Sequence, residues 1–157
     1  MKSTLTTFLL VVFLTSCSGT KKTVRSNPRL SKADKIVALA QSYSGTRYKF
    51  GGTTSKGMDC SGLIYTSFKR ENIPLPRVSR EMAKKGVAVR ERNIKKGDLL
   101  FFQTSKTRRR INHVGLVTKV NGEEVFFIHA TTSRGVLTSN LKERYWDRAF
   151  VTARRLL

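Results

Sequence analysis

The hydrophobic pattern of this chain changes period once, and that change restricts the fold more than any other feature. Up to Gly86 the apolar residues recur at helical spacing, whereas from Gly97 onward they fall in short runs rich in Val, Ile, Phe and Thr. Helices that precede an antiparallel sheet are typical of an α+β domain. The pattern therefore predicts an α+β fold, with N-terminal helices packed on an antiparallel sheet of about five to six strands.

Three helices are predicted before the change of period. The first begins with a capping box at 31–34, a Ser followed three residues later by an Asp, and ends at Gly45. The second runs over 60–70 and must end before the prolines that follow it. The third is expected over 79–85, with Ser79 as its cap and a glycine at its end.

The predicted strands are short, and Gly-containing turns separate them. Asn121 and Gly122 lie between two apolar runs and indicate a tight hairpin there. The strands are expected at 99–102, 113–120, 124–130, 135–138 and 150–156.

The N-terminus has the features of an export signal. Lys2 precedes the largely apolar stretch 5–14, which is shorter than the roughly 20 residues that a membrane-spanning helix needs. The segment Leu14-Thr15-Ser16-Cys17 resembles the bacterial lipobox, and the resemblance implies that Cys17 is lipidated after cleavage. We therefore predict a signal peptide at 1–16, a lipidated and flexible tether at 17–30 and one domain at 31–157; an ordinary signal peptide or a buried helix is the alternative.

The chain is strongly basic, with 31 Lys and Arg against 10 Asp and Glu and a formal net charge of +21. Such a field attracts anionic lipid or acidic wall polymers, although a merely solvated surface is an equal alternative. Nucleic acid is disfavoured as a partner, because the aromatic residues follow core-like patterns and the chain carries an export signal. The basic loop 106–110 precedes a predicted strand, and it either flanks the cleft or is solvated.

Three residues form the candidate chemical site. Cys60 is expected at a helix N-terminus, where the helix dipole and free N–H groups lower the pKa of a thiol. His113 and His129 are the two histidines of the chain, sixteen residues apart on strands that the predicted hairpin joins. The two imidazoles can therefore stand side by side and form a hydrogen bond.

Six short motifs keep the order and spacing of the NlpC-type cell-wall peptidases, which this chain resembles from about residue 33 to 155. The motifs are Tyr48-x-x-Gly51-Gly52, Met58-Asp59-Cys60-Ser61-Gly62-Leu63, Leu75-Pro76-Arg77-x-Ser79-Arg80, Gly97-Asp98-Leu99-Leu100-Phe101-Phe102, His113-Val114-Gly115 and Ile128-His129-Ala130.

The resemblance implies a papain-like fold, in which a Cys-bearing helix packs on the sheet that supplies the histidines. It also implies hydrolysis of amide bonds in peptidoglycan stem peptides, with no metal or organic cofactor. By position Cys60 matches the nucleophile, His113 the general base and His129 the residue that orients the base. Tyr48 matches a tyrosine near the oxyanion site.

Two neighbours of the nucleophile are further candidates for oxyanion or substrate binding. Asp59 either contacts a substrate amine or caps the helix, and we favour the cap. Ser61 is expected to act through its backbone N–H. Arg77 either meets a stem-peptide carboxylate or forms a surface salt bridge.

Several alternatives remain open from the sequence. The same thiol and histidines could serve an acyltransferase, or the chain could be a non-catalytic, basic, wall-binding lipoprotein. A zinc site at the three residues lacks the usual closely spaced ligand pair and a fourth ligand. A disulfide between Cys17 and Cys60 is the remaining alternative. The predicted location is the bacterial envelope, as a membrane-anchored lipoprotein that faces the periplasm, with the outer membrane compatible.

Overall fold

The computed structural model describes residues 30–105, 107 and 110–157. The predicted signal peptide and tether up to residue 29, including Cys17, lie outside the described residues, as do Lys106, Arg108 and Arg109 of the basic loop. Among the described residues, no helix has the length and hydropathy required to cross a bilayer.

Three of the four helices of the described chain precede the long strands, and α4 lies between the last two strands. The helices are α1 Lys32–Ser42, α2 Cys60–Lys69, α3 Ser79–Met82 and α4 Arg144–Ala149, with a 3-10 turn at Glu91–Asn93. The strands are β1 Thr53–Thr54, β2 Gly57–Met58, β3 Val87–Val89, β4 Leu99–Phe102, β5 His113–Asn121, β6 Glu124–Thr131, β7 Gly135–Asn140 and β8 Phe150–Arg155.

Six of the strands form one antiparallel sheet in the order β3-β8-β4-β5-β6-β7. This confirms the predicted α+β class and the expected number of strands. β1 and β2 form a separate hairpin immediately before α2. The predicted Asn-Gly hairpin is also confirmed, since Asn121 pairs with Glu124 and Gly122 has a φ of 58°.

Two hydrophobic clusters pack against the sheet. The larger contains the buried residues of α1 and α2 together with Leu99, Phe101 and Leu116. The smaller contains the neighbouring strand residues Leu100 and Phe102, and α4 covers it. Because alternate residues of a strand point to opposite faces, the all-apolar β4 supplies both clusters.

The start of α1 has the predicted capping box. The Ser31 hydroxyl accepts a hydrogen bond from the Asp34 N–H at 3.1 Å, and the Asp34 carboxylate accepts one from the Ser31 N–H at 3.1 Å. The helix ends at Ser42, and Gly45 follows with a φ of 82°, as expected for the stop.

The third predicted helix is shorter than expected, and its predicted cap is wrong. α3 covers four residues, and Val78 occupies the N-cap position without a side-chain hydrogen bond. Ser79 is instead the first helical residue and is buried. The helix does not continue because the N–H groups of Lys84 and Lys85 donate to carbonyls three residues back, and Gly86 then takes a positive φ.

The strands β1 to β3 and the helix α4 were not predicted. Their lengths of two, two, three and six residues explain why. Elements this short do not complete enough periods for a hydrophobic pattern to show.

Candidate active site

Cys60 is the first residue of α2, and the segment before the helix is tightly constrained. Asp59 is the N-cap, and its carboxylate accepts a hydrogen bond of 2.6 Å from the Gly62 N–H. A Cβ at Gly62 would overlap the carbonyl oxygen of Gly52, so only glycine allows the helix start to approach that loop so closely. The nucleophile candidate is therefore held by close backbone packing on both sides.

Tyr48 is held near Cys60 by the backbone. The Met58 N–H donates to the Arg47 carbonyl and the Lys49 N–H donates to the Met58 carbonyl, each at 3.0 Å. Tyr48 thus forms an isolated β-bridge with Met58, two residues before Cys60. The side chains of Tyr48 and Cys60 line the same cleft. Burial raises the pKa of the Tyr48 hydroxyl, and the negative charge of Asp59 raises it further, so the hydroxyl keeps its proton and remains a hydrogen-bond donor.

The two histidines meet as predicted. His113 begins β5, His129 lies in β6, and Nε2 of His113 is 2.9 Å from Nδ1 of His129. The rings are nearly perpendicular, with an interplanar angle of 89°. His129 is completely buried and His113 is 8 % exposed, so only His113 reaches the cleft.

The thiol of Cys60 lies against the start of β5. The backbone N–H of Val114, the residue that follows His113, lies near enough to the sulfur to favour its thiolate form, and Cys60 and His113 line one cavity. Since Nε2 of His113 is engaged with His129, its Nδ1 is the nitrogen available to the cleft. The structure therefore brings together all three residues that the sequence singled out.

The charge state of the thiol differs from our expectation. The pKa of Cys60 is raised rather than lowered, because burial outweighs the N–H groups of Val114 and Ser61 that favour the thiolate. The charge of Asp59 raises it further. The predicted effect of the helix N-terminus was correct in sign but smaller than the cost of removing a thiolate from water.

Burial has the corresponding effect on the histidines. It lowers the pKa of His113 to about 4. It also lowers the pKa of His129 to about 3, with smaller effects from the charges of His113 and Arg134. Both shifts favour the uncharged forms in the free site, a neutral thiol beside a neutral imidazole.

Asp59 is committed to interactions within the protein. One carboxylate oxygen accepts from Gly62 and from an Arg77 nitrogen at 2.9 Å, and the other accepts from the Gly51 N–H at 2.8 Å and the second Arg77 nitrogen at 2.9 Å. This supports the cap interpretation over a contact with a substrate amine. Arg77 accordingly forms a salt bridge, and it also donates to the Ser61 hydroxyl at 2.8 Å.

Cys60 lies where two adjoining cavities of about 430 and 620 Å³ meet. Tyr48, Cys60 and Asn112 line both. The smaller cavity continues past His113 to residues that the sequence did not single out, namely Arg134, Glu143, Tyr145 and Trp146. The larger continues past Asp59 and Ser61 to Phe50, Arg77, Val78 and Arg110.

Three observations concern alternatives that the sequence left open. Among the described residues of the basic loop, Arg110 lines the cleft, as one interpretation of the loop predicted. In the part of the chain that the structure describes, no group of three or more His, Cys, Asp or Glu residues could hold a metal ion. Cys60 itself carries a free thiol.

Comparison with known proteins places this geometry in context. Residues 45–155 match the NlpC/P60 family. The chain is 35 % identical over 153 residues to "Probable endopeptidase NlpC" of Escherichia coli K12, covering 94 % of this chain and 96 % of that protein. It is 39 % identical over 124 residues to "Murein DD-endopeptidase MepS/Murein LD-carboxypeptidase" of the same strain, covering 78 % of this chain and 62 % of that protein.

A solved structure is similar in fold as well as in sequence. An NlpC/P60 family protein from Bacillus cereus ATCC 10987 superposes with a TM-score of 0.71 and 31 % sequence identity. The similarity covers 78 % of this chain and 39 % of that chain, so this protein spans about two fifths of the length of its Bacillus relative.

Proposed function

Because this chain belongs to the NlpC/P60 family of cell-wall cysteine peptidases, we propose that Cys60, His113 and His129 hydrolyse amide bonds in peptidoglycan stem peptides. Family membership confirms the predicted enzyme class, a cysteine endopeptidase of the cell wall with a papain-like fold. The assignment of roles to individual residues is our proposal. The observation that carries it is the 2.9 Å contact between the two imidazoles, in a site where Cys60 and His113 share one cavity.

The proposed reaction begins from neutral groups. As the Cys60 sulfur attacks the scissile carbonyl carbon, the thiol proton passes to Nδ1 of His113. The hydrogen bond from Nε2 of His113 to His129 fixes the ring and stabilises the imidazolium as it forms. The carbonyl oxygen becomes an oxyanion, which the N–H of Cys60 and the hydroxyl of Tyr48 stabilise. Losing one such donor costs about 3 kcal/mol in comparable sites.

The second half of the reaction releases the products. The imidazolium of His113 gives its proton to the leaving amine as the C–N bond breaks, which leaves a thioester on Cys60. A water molecule then attacks the thioester carbonyl while His113 removes its proton. The thioester C–S bond breaks, the carboxylic acid leaves, and the proton returns to the Cys60 thiolate.

The shape of the cleft supports a peptide substrate. The two cavities meet at Cys60 and, apart from Tyr48, Cys60 and Asn112, are lined by different residues, so an extended peptide can run through both while its scissile carbonyl lies at the sulfur. One relative named above is a murein endopeptidase and carboxypeptidase, which supports stem peptides as the substrate class.

We further propose that the protein is a lipoprotein of the cell envelope that faces the periplasm. The sequence Leu14-Thr15-Ser16-Cys17 supports lipidation of Cys17 and removal of residues 1–16. The tether 17–30 could extend about 45 Å from the membrane if fully stretched. The net charge of +21 supports additional contacts with anionic lipid or wall polymers.

One experiment tests the proposed reaction with a matched pair of variants. Purified stem peptides are incubated with wild type, Cys60→Ala and Cys17→Ala, and the products are analysed by mass spectrometry. We expect the same fragments from wild type and Cys17→Ala and none from Cys60→Ala. Fragments from Cys60→Ala at the wild-type rate would contradict the thiol mechanism.

The same assay separates hydrolysis from acyl transfer. In water enriched with oxygen-18, hydrolysis places one heavy oxygen in each new carboxylate, because water resolves the thioester. An acyltransferase would instead give an unlabelled product joined to an amine or alcohol acceptor.

For the anchor, we expect Cys17→Ala to move from the membrane to the soluble fraction and to lose incorporation of labelled palmitate. Unchanged membrane association would contradict the anchor.

A further inference from the structure

The position of His113 determines which half of the substrate each cavity receives. His113 lines the smaller cavity but not the larger one. In the reaction that we propose, the imidazolium of His113 gives its proton to the leaving amine, so that amine must lie beside this ring. The leaving fragment therefore extends into the smaller cavity, and the acyl fragment on Cys60 extends into the larger one.

The smaller cavity carries two opposite charges, those of Arg134 and Glu143. Among the residues that the structure describes, no ion pair joins these two side chains, and Arg134 has no carboxylate partner elsewhere. One oxygen of Glu143 accepts a hydrogen bond of 2.8 Å from the Asn140 N–H, which holds it in the turn before α4. The cavity for the leaving fragment thus contains a guanidinium without a counter-charge.

The backbone that carries Arg134 is anchored to the cleft wall. The Arg134 N–H donates to the Thr131 hydroxyl at 3.1 Å, within the turn between β6 and β7. Gly135 follows with a positive φ, and a Cβ there would overlap the carbonyl oxygen of Thr46. The Val136 N–H donates to the same carbonyl at 2.9 Å. The turn is therefore fixed against the segment that leads to Tyr48.

The charge of Arg134 is felt at the buried imidazoles. Burial is the main cause of the lowered pKa of His129, but the charges of His113 and Arg134 contribute to it. Since such effects weaken with distance and are screened by water and salt, the guanidinium lies close to the reacting groups. A group bound to Arg134 would therefore lie near the scissile bond.

We propose that Arg134 is a specificity-determining residue, which binds a carboxylate of the leaving fragment. The proposal rests on the proposed function, because the direction of the substrate follows from the role of His113 as the acid. A guanidinium presents two parallel N–H donors that match the two oxygens of a carboxylate. Glu143 repels an anion in the same cavity, so the carboxylate is directed toward Arg134.

The chemistry of the substrate agrees with this assignment. The C-terminal fragment of a peptide ends in a carboxylate, so a stem peptide cut near its end presents that group to the smaller cavity. The larger cavity is arranged differently, because its Arg77 is paired with Asp59 and its Arg80 with Glu81. Its remaining arginine, Arg110, lies on the acyl side and provides a matched control.

A pair of substrates tests the contact. Once the wild-type digest has identified the bond, the cleaved peptide is synthesised with the carboxylates of its leaving fragment either free or amidated. We expect kcat/KM of wild type to be about tenfold higher for the free form. Arg134→Gln should reduce this ratio to about one by slowing only the free form. Arg134→Lys should give an intermediate ratio, because it keeps the charge but loses the planar pair of donors.

Two control variants separate a specific contact from a general effect of charge. Arg110→Gln should keep the wild-type ratio whatever its own rate, because Arg110 lines the acyl side. Glu143→Gln should keep the ratio at or above that of wild type, because it removes a repulsive charge. Equal ratios for wild type and Arg134→Gln, or the same loss in Arg110→Gln, would overturn the proposal.

A binding measurement tests the contact without turnover. The stem tetrapeptide, with the carboxylates of its two C-terminal residues free or amidated, is titrated into Cys60→Ala. We expect the NMR signal of the Arg134 side-chain N–H to shift with the free form only, and no such shift would overturn the proposal. Failure of wild type to cleave stem peptides would contradict the proposed function, whereas this titration still decides whether Arg134 binds a carboxylate.

Discussion

Replacing Arg77 with Met should weaken both the fold and the nucleophile. The Arg77 guanidinium binds the Asp59 carboxylate through two hydrogen bonds of 2.9 Å. Breaking a fully buried ion pair costs about 3–5 kcal/mol, because the remaining charge has no partner. Here the side chain of Asp59 is 9 % exposed but that of Arg77 is 33 % exposed, so water can partly replace the arginine. We therefore expect a loss of about 2–3 kcal/mol in the free energy of unfolding.

The change should also reduce the reactivity of Cys60. The charge of Asp59 already raises the pKa of the neighbouring thiol, and Arg77 compensates that charge. Without the guanidinium, the pKa of Cys60 should rise further, and alkylation by iodoacetamide at pH 7 should slow. One of the Arg77 nitrogens that bind Asp59 also donates to the Gly52 carbonyl at 3.2 Å. The loop at Gly52, which packs on the start of α2, would therefore lose a hydrogen bond as well.

Urea denaturation and thiol alkylation measure the two effects. Arg80→Met is the matched control, because Arg80 lines the same cavity but forms only an exposed ion pair with Glu81 at 3.5 Å. Its cost should stay below about 0.5 kcal/mol. In an Asp59→Asn background, which retains a capping side chain, Arg77→Met should cost less than about 1 kcal/mol. Equal costs of Arg77→Met in both backgrounds would refute the coupling on which the magnitude depends.

Three further predictions concern the pH dependence of activity, the pH dependence of stability and close packing. Only neutral His113 accepts a proton, so kcat/KM should fall on acidification with an apparent pKa near that of His113, about 4. A fall near pH 6.5 would contradict the lowering of this pKa by burial. The pKa of His129 is also lowered, to about 3, so the free energy of unfolding should decrease as the pH falls from 6.5 toward 4. The decrease should be up to roughly 1.4 kcal/mol per pH unit for each histidine. Urea denaturation at several pH values measures it, and His129→Asn should make the pH dependence shallower. Gly62→Ala should abolish activity and lower the free energy of unfolding by several kcal/mol, as at other overpacked sites, because the new Cβ meets a backbone carbonyl. Gly122→Ala is the control, since its new Cβ meets nothing and its positive φ should cost only about 1 kcal/mol. Similar activities of the two variants would contradict the close approach at Gly62.

The sequence predicted the long elements well for an identifiable physical reason. α1, α2, β5 and β6 each contain eight or more residues, which is enough for their hydrophobic periods to appear. A capping box marks the start of α1, and an Asn-Gly turn joins β5 to β6. The helix α3 has only four residues and shows no such period. Ser79 was predicted as its N-cap, but the preceding Val78 occupies that position. A cap motif without a sustained period behind it is therefore weak evidence for where a helix begins.

The sequence could predict which residues meet at the site but not the pKa of the thiol. Residue type and spacing were sufficient to bring Cys60, His113 and His129 together, because a hairpin and a helix start determine their positions. The raised pKa of the thiol depends on how deeply it is buried, which is a property of the packed structure. Trp146, which lines the same cleft, was missed because it lies far along the chain in a helix of only six residues.

The neutral state of the buried pair has a consequence for how the enzyme meets its surroundings. Thiolates, rather than thiols, react with oxidants and alkylating agents, and a raised pKa of Cys60 keeps the thiolate population small. In the reaction that we propose, attack on a bound peptide escapes this restriction, because the sulfur loses its proton to His113 while the negative charge passes to an oxyanion stabilised by N–H and O–H groups. Burial therefore protects the nucleophile in the free enzyme without an equal penalty in the transition state. That selectivity suits a cysteine enzyme of the cell envelope, where thiols are more exposed to oxidation than in the cytoplasm.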